Sequence, residues 1–181
     1  MAADTHSPDP SADWLQSASR GMQPSATLAI NERSHALARA GREIYRLGLG
    51  QSPFPVPAPV TEALRTHAHE KDYLPVRGLP GLREAIAGHL QARHGLMFDP
   101  GHVQVGPGSK ELLFLVQLVL DAELLLPSPS WVSYAPQARL VGRRVTWLPT
   151  RREHGWHLDA STLQAHCGSG PSRPRLLVLN Y

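Results

Sequence analysis

The strongest chemical signal in the chain is the run Val103-Gln104-Val105-Gly106-Pro107-Gly108-Ser109-Lys110-Glu111. Alternation over residues 103–105 predicts a strand end, the glycines flank a turn, and the apolar run over 111–121 predicts a helix. A helix start leaves several backbone N–H groups without partners inside the helix, all pointing the same way. The aligned peptide dipoles add partial positive charge there, so the fitting guest is an anion such as a phosphate. Gly108 lets backbone approach that guest closely. Ser109 can cap the helix or donate its hydroxyl to a phosphate oxygen, and Lys110 adds a mobile positive charge. The turn is not a Walker loop, whose two glycines before Lys-Ser/Thr are absent, nor a dinucleotide fingerprint, whose third glycine is missing. The same turn serves in many α/β proteins as connecting chemistry alone, so its surroundings decide.

Other chemistry-bearing residues are scattered. His67 and His69 are two apart and cannot face one ligand from a helix, and no cysteine or acid completes a zinc set with His89 and His94, so no metal is expected. Asp159 reads as a helix cap. Cys167 is the one cysteine, which rules out an internal disulfide and suits a reducing cytosol; nothing near it suggests a reactive thiol.

Positioning such a turn takes a globular scaffold. The 181 residues are about one domain long, and 41% hydrophobic with 18% charged residues fits one, apart from 17 prolines. The 18 basic and 15 acidic residues are mixed along the chain, with no basic stripe interleaved with aromatics, which argues against nucleic acid. The longest apolar run, 112–120, contains Gln117 and is too short for a membrane span. Acids and prolines stand at the N-terminus where a signal peptide needs basic and then apolar residues, so the expected address is the cytoplasm.

In chain order, residues 1–30 read as a mobile arm. Asn31 is expected to cap a helix ending before Gly41, residues 43–49 to be extended, and 50–59 to be a proline-punctuated loop. A helix over 59–70 should carry Val60, Ala63, Leu64, His67 and Ala68 on one face; a second has Pro80 in its first turn, carries the stripe Leu82, Ile86, Leu90, and ends at Gly95. Beyond the central turn come a buried strand over 123–126 stopped by Pro127, a helix over 133–141, a strand over 144–148, a helix to Cys167 and a strand over 175–179. Strands alternating with helices predict an α/β fold with a largely parallel sheet, whose ligands sit at the carboxyl ends of the strands.

Three stretches carry a family resemblance. They are Leu47-Gly-Leu-Gly-Gln-Ser-Pro-Phe-Pro, then Tyr73-Leu-Pro-Val-Arg-Gly-Leu-Pro-Gly-Leu-Arg83, then Gly108-Ser-Lys-Glu-Leu with Pro127-Ser-Pro-Ser-Trp-Val-Ser-Tyr134. In order and spacing they resemble the class I/II aminotransferases, pyridoxal-phosphate (PLP) enzymes of fold type I, over residues 43–181. The resemblance implies a three-layer α/β fold of the PLP-dependent transferase large-domain type, incomplete at its C-terminus. It divides the chain into an arm (1–30), the start of a small domain (31–50) and the first part of the PLP-binding large domain (51–181). It implies cofactor contacts from Gly108, Ser109 and Lys110 at the phosphate, from Trp131 stacked on the pyridine ring, and from Tyr73 reaching the phosphate of a homodimer partner. Gly50 and Trp131 would line the substrate, an amino acid or 2-oxo acid.

The family's Schiff-base lysine, pyridine-nitrogen acid and carboxylate-gripping arginine fall beyond Tyr181 in the resemblance. Only Lys71 and Lys110 occur here, one in the inter-subunit loop and one at the phosphate end, and neither substitutes. The expectation is therefore an amino-terminal portion of an aminotransferase, inactive and poorly soluble alone. The alternatives are a PLP lyase on the same scaffold, or a non-catalytic chain that only binds a phosphate ligand or a full-length partner.

Overall fold

The computed structural model describes residues 17–20, 22, 24–48, 50–168 and 173–180. They fall into two compact units, Leu47–Glu111 and Met1–Arg46 with Leu112–Tyr181.

The second of these units is built on β1 (Glu123–Ser128), whose Leu124, Leu125 and Leu126 are almost wholly buried. An uninterrupted apolar run of this length belongs to a strand covered on both faces. It pairs in parallel with β2 (Val145–Pro149) on one side and β3 (Arg175–Leu177) on the other, in the order β2-β1-β3. The expected α/β architecture with a parallel sheet is thus present. One face carries Leu124, Leu126 and Val178 against Tyr134, Ala135 and Ala138 of α5 (Tyr134–Leu140), with Leu113 of α4 (Ser109–Val119) packed alongside. α6 (Ala160–Gly168) leads into β3 and packs on β2.

The expectation that β1 stops at Pro127 is corrected, since its ladder continues through Pro127↔Leu148 and Ser128↔Pro149. The reason lies in which way each N–H points. Glu123 N–H donates to Pro174 on the β3 side and Leu124 N–H to Arg144 on the β2 side. Alternation puts the nitrogen of Pro127 on the β3 side, beyond the last pair of that ladder, Leu125↔Leu177. The missing N–H removes no bond to β2.

α1 (Ala26–Arg39) starts five residues before Asn31, because nothing from Ala26 to Ile30 interrupts a helix after Pro24. Residues 26–30 are therefore helical, while residues 1–16 of the expected arm lie outside the described residues. Residues 42–47 carry no regular secondary structure and pair with no described strand.

In the unit Leu47–Glu111, α2 (Ala58–His67) and α3 (Pro80–His94) fall close to the expected bounds. Pro80 opens α3 where its missing N–H costs nothing, and Gly95 closes it at φ +67°. The Val60 face of α2 is not buried within this unit: Val60 and Leu64 are exposed. The strand end expected over 103–105 is also corrected. Val103 has extended backbone, but the segment joins no sheet and is held by side-chain and loop hydrogen bonds instead.

Candidate active site

Residues 103–105 run from a 3-10 turn (Pro100–His102) into the glycine turn and directly into α4, which begins at Ser109 rather than Glu111. Gly108 N–H donates to Gly106 O at 2.7 Å, closing the turn over Pro107. Gly108 itself has φ +112°, a region that side chains disfavour. A Cβ built there would meet nothing within 4 Å, so the backbone at the helix start is open to a guest. Ser109 and Lys110 occupy the first turn of α4 and are exposed, with Glu111 beside them. The turn thus brings together a helix start, a glycine with open space around it, a hydroxyl and an ammonium.

The same unit carries Tyr73 and Gly50. Tyr73 projects wholly into solvent, from a loop ending in a tight turn in which Gly78 N–H donates to Pro75 O at 2.7 Å. Gly50 is exposed, with open space around its α-carbon. The loop is tied to the segment feeding the glycine turn. Val105 N–H donates to Arg77 O at 3.1 Å, and the Gln104 side-chain amide donates to Val76 O at 2.9 Å. Arg77 donates to Gly101 O at 3.1 Å, and Arg83 donates twice to Pro100 O, at 2.9 and 2.7 Å. Residues 76–77 of the Tyr73 loop and residues 100–105 before the Gly108 turn thus share one hydrogen-bonded network.

Trp131 belongs to the sheet-bearing unit, in the loop leaving the carboxyl end of β1, where parallel sheets bind ligands. Its side of the loop is half-exposed. Two side chains that sequence reading did not single out fix this loop. Thr150 donates to Ser128 O at 2.5 Å, and Asn180 donates its amide to the buried Tyr134 hydroxyl at 3.2 Å. They brace the loop from the carboxyl ends of β2 and β3. A polar residue just past each strand was the available signal.

Glu123 was likewise read only as the beginning of a strand. Its buried carboxylate accepts from the Thr146 hydroxyl at 2.6 Å, with Arg144 Nε at 3.3 Å, His166 Nε2 at 3.6 Å and Arg175 Nε at 3.8 Å. The Thr146 hydrogen bond holds its pKa below the ordinary 4.5; burial opposes this, and Arg144 and His166 add to the lowering. The legible signal is that Glu123, Arg144 and Arg175 all stand at strand starts, which parallel register brings together. This cluster lies at the opposite end of the strands from the Trp131 loop.

The described residues contain no group of three or more His, Cys, Asp or Glu able to hold a metal ion. No described helix is long and apolar enough to cross a membrane. The sequence pattern of the family "Aminotransferase class I and II" matches residues 42–181. This chain belongs to that family. Among its relatives, the aspartate/prephenate aminotransferase of Thermus thermophilus is 37% identical over 166 residues, 89% of this chain and 42% of the relative. A bifunctional aspartate aminotransferase and glutamate/aspartate-prephenate aminotransferase from Petunia hybrida is 34% identical over 163 residues, 87% of this chain and 33% of the relative. The solved Thermus thermophilus aspartate aminotransferase with maleate superposes with TM-score 0.77 at 35% identity, covering 83% of this chain and 41% of that one. The chain spans 33–42% of the length of these aminotransferases.

Proposed function

We propose that this chain forms the phosphate-binding part of a PLP-dependent aminotransferase that moves an amino group between an amino acid and a 2-oxo acid. The observation that carries the reading is the Gly108 turn, a positive-φ glycine with open space above it at the start of α4 in a chain of this family. The site fits a phosphate on its own geometry, since the volume a Cβ would take is clear and the helix start favours an anion. Gly108 and Ser109 would hold that phosphate by backbone N–H groups and the Ser109 hydroxyl, with Lys110 adding charge. Trp131 would cover the ring by burial and dispersion, its loop braced by Thr150 and Asn180. Tyr73, fully exposed here, would reach a second copy's phosphate, and Gly50 would lie along the substrate carboxylate. When bound, PLP supplies the electron sink that makes the α-carbon of an amino acid reactive.

The lysine, acid and arginine that complete such a site would come from residues beyond these 181, with the enzyme a cytoplasmic homodimer. The relatives' names favour aspartate as amino donor. The test uses the protein expressed from its full coding sequence and loaded with PLP. Aspartate and 2-oxoglutarate should yield oxaloacetate and glutamate, and Trp131→Ala should lower kcat/KM by about tenfold or more. Absence of amino transfer from aspartate and from every other amino acid tried would overturn the reading. Breakdown of the amino acid without an acceptor would point to a lyase instead.

A further inference from the structure

Val105 packs against the turn at Gly78, and Gln104 reaches the same loop with its side-chain amide. Val105 lies so close to Gly78 that a Cβ on Gly78 would fall 2.6 Å from the Val105 Cβ. The Gln104 amide nitrogen bridges two carbonyls, Val76 O at 2.9 Å and Val105 O at 3.1 Å. An amide NH2 has two hydrogens, so this one group joins the loop to the segment feeding the glycine turn. Both flanking turns are short and closed, by Gly78 N–H to Pro75 O and by Gly108 N–H to Gly106 O, each at 2.7 Å. Little slack separates the splint from Tyr73 on one side or from Ser109 on the other.

We propose that Gln104 is a positioning residue that makes the Tyr73 loop (residues 73–78) and the phosphate turn (residues 106–109) one mechanical unit, so that an anion seated on the turn orders the loop. The proposal rests on the reading of the Gly108 turn as the phosphate site. Coupling of this kind is reciprocal: whatever loosens the loop weakens the anion.

The experiment compares wild type with Gln104→Met, of similar length but without donors, and Gln104→Glu, which sets a carboxylate against two carbonyls. All are expressed from the full coding sequence. Titration with PLP should show Kd raised about three- to tenfold in Gln104→Met and more in Gln104→Glu, tenfold corresponding to 1.4 kcal/mol. Hydrogen exchange over residues 73–78 should slow on PLP binding in wild type and lose most of that protection in Gln104→Met. A purely structural role would lower the melting temperature and leave Kd and the exchange difference unchanged, and that result overturns the proposal. Should neither variant fold, the wild type decides, because unprotected residues 73–78 in the PLP complex refute the coupling. If wild type binds no PLP, the phosphate reading falls first and the coupling with it.

Discussion

At the residue scale, Glu123 is the clearest case of a side chain whose environment sets its chemistry. A buried carboxylate is costly unless it is paired and hydrogen-bonded. Thr146, Arg144, Arg175 and His166 surround this one. Its folded pKa is lowered, so the unfolded chain binds the proton more readily. The sign follows from linkage: the stabilisation is fully present above the ordinary value of 4.5 and is lost as pH falls through the lowered folded value. Glu123→Gln should destabilise at pH 7 by about 1–3 kcal/mol, a figure discounted because Arg144 is largely exposed. It should also flatten the loss of melting temperature between pH 6 and pH 3, measured by thermal denaturation. An acid limb as steep as that of wild type would show that other carboxylates carry it.

At the element scale, what the sequence disclosed divides along physical lines. Helix α3 was legible to within a turn at its start and to the residue at its end, because Pro80 and Gly95 are local signals that need no tertiary context. The strands were legible from the run Leu124-Leu125-Leu126 and from strand–helix alternation. The strand expected over 103–105 was not real, since alternation specifies an extended segment but not a partner. The continuation of β1 through Pro127 was hidden for the converse reason: whether a proline breaks a ladder depends on which side its nitrogen faces. The close approach of Gly78 and Val105 is a third tertiary feature, with a sharp consequence. Gly78 has φ +94° and no room for a methyl group, so Gly78→Ala should cost about 2–4 kcal/mol from backbone strain and overlap together. The control Gly50→Ala, in open space, should change stability by less than about 1 kcal/mol. Equal melting temperatures for the two variants would refute the close approach.

For the whole molecule, the strand-free glycine turn and helix start at 106–109 were legible from local residues, whereas the anion role read into them leaned on their surroundings. Trp131 and Tyr73 were singled out only through family resemblance, since an exposed aromatic in a loop has many possible uses. The braces Thr150 and Asn180 and the Gln104 splint were not legible, because each acts across 22 to 46 residues of sequence. Exposed apolar side chains at Tyr45, Leu47, Phe54 and Val76 add apolar surface. The central claim is that the helix start at Gly108 grips the cofactor by its phosphate. The most direct measurement is therefore the affinity of the protein, expressed from its full coding sequence, for PLP against phosphate-free pyridoxal by calorimetric titration. The account predicts PLP tighter by about a hundredfold or more, close to 2.7 kcal/mol, with Gly108→Val erasing most of that gap; equal affinities for the two vitamers in wild type would contradict it.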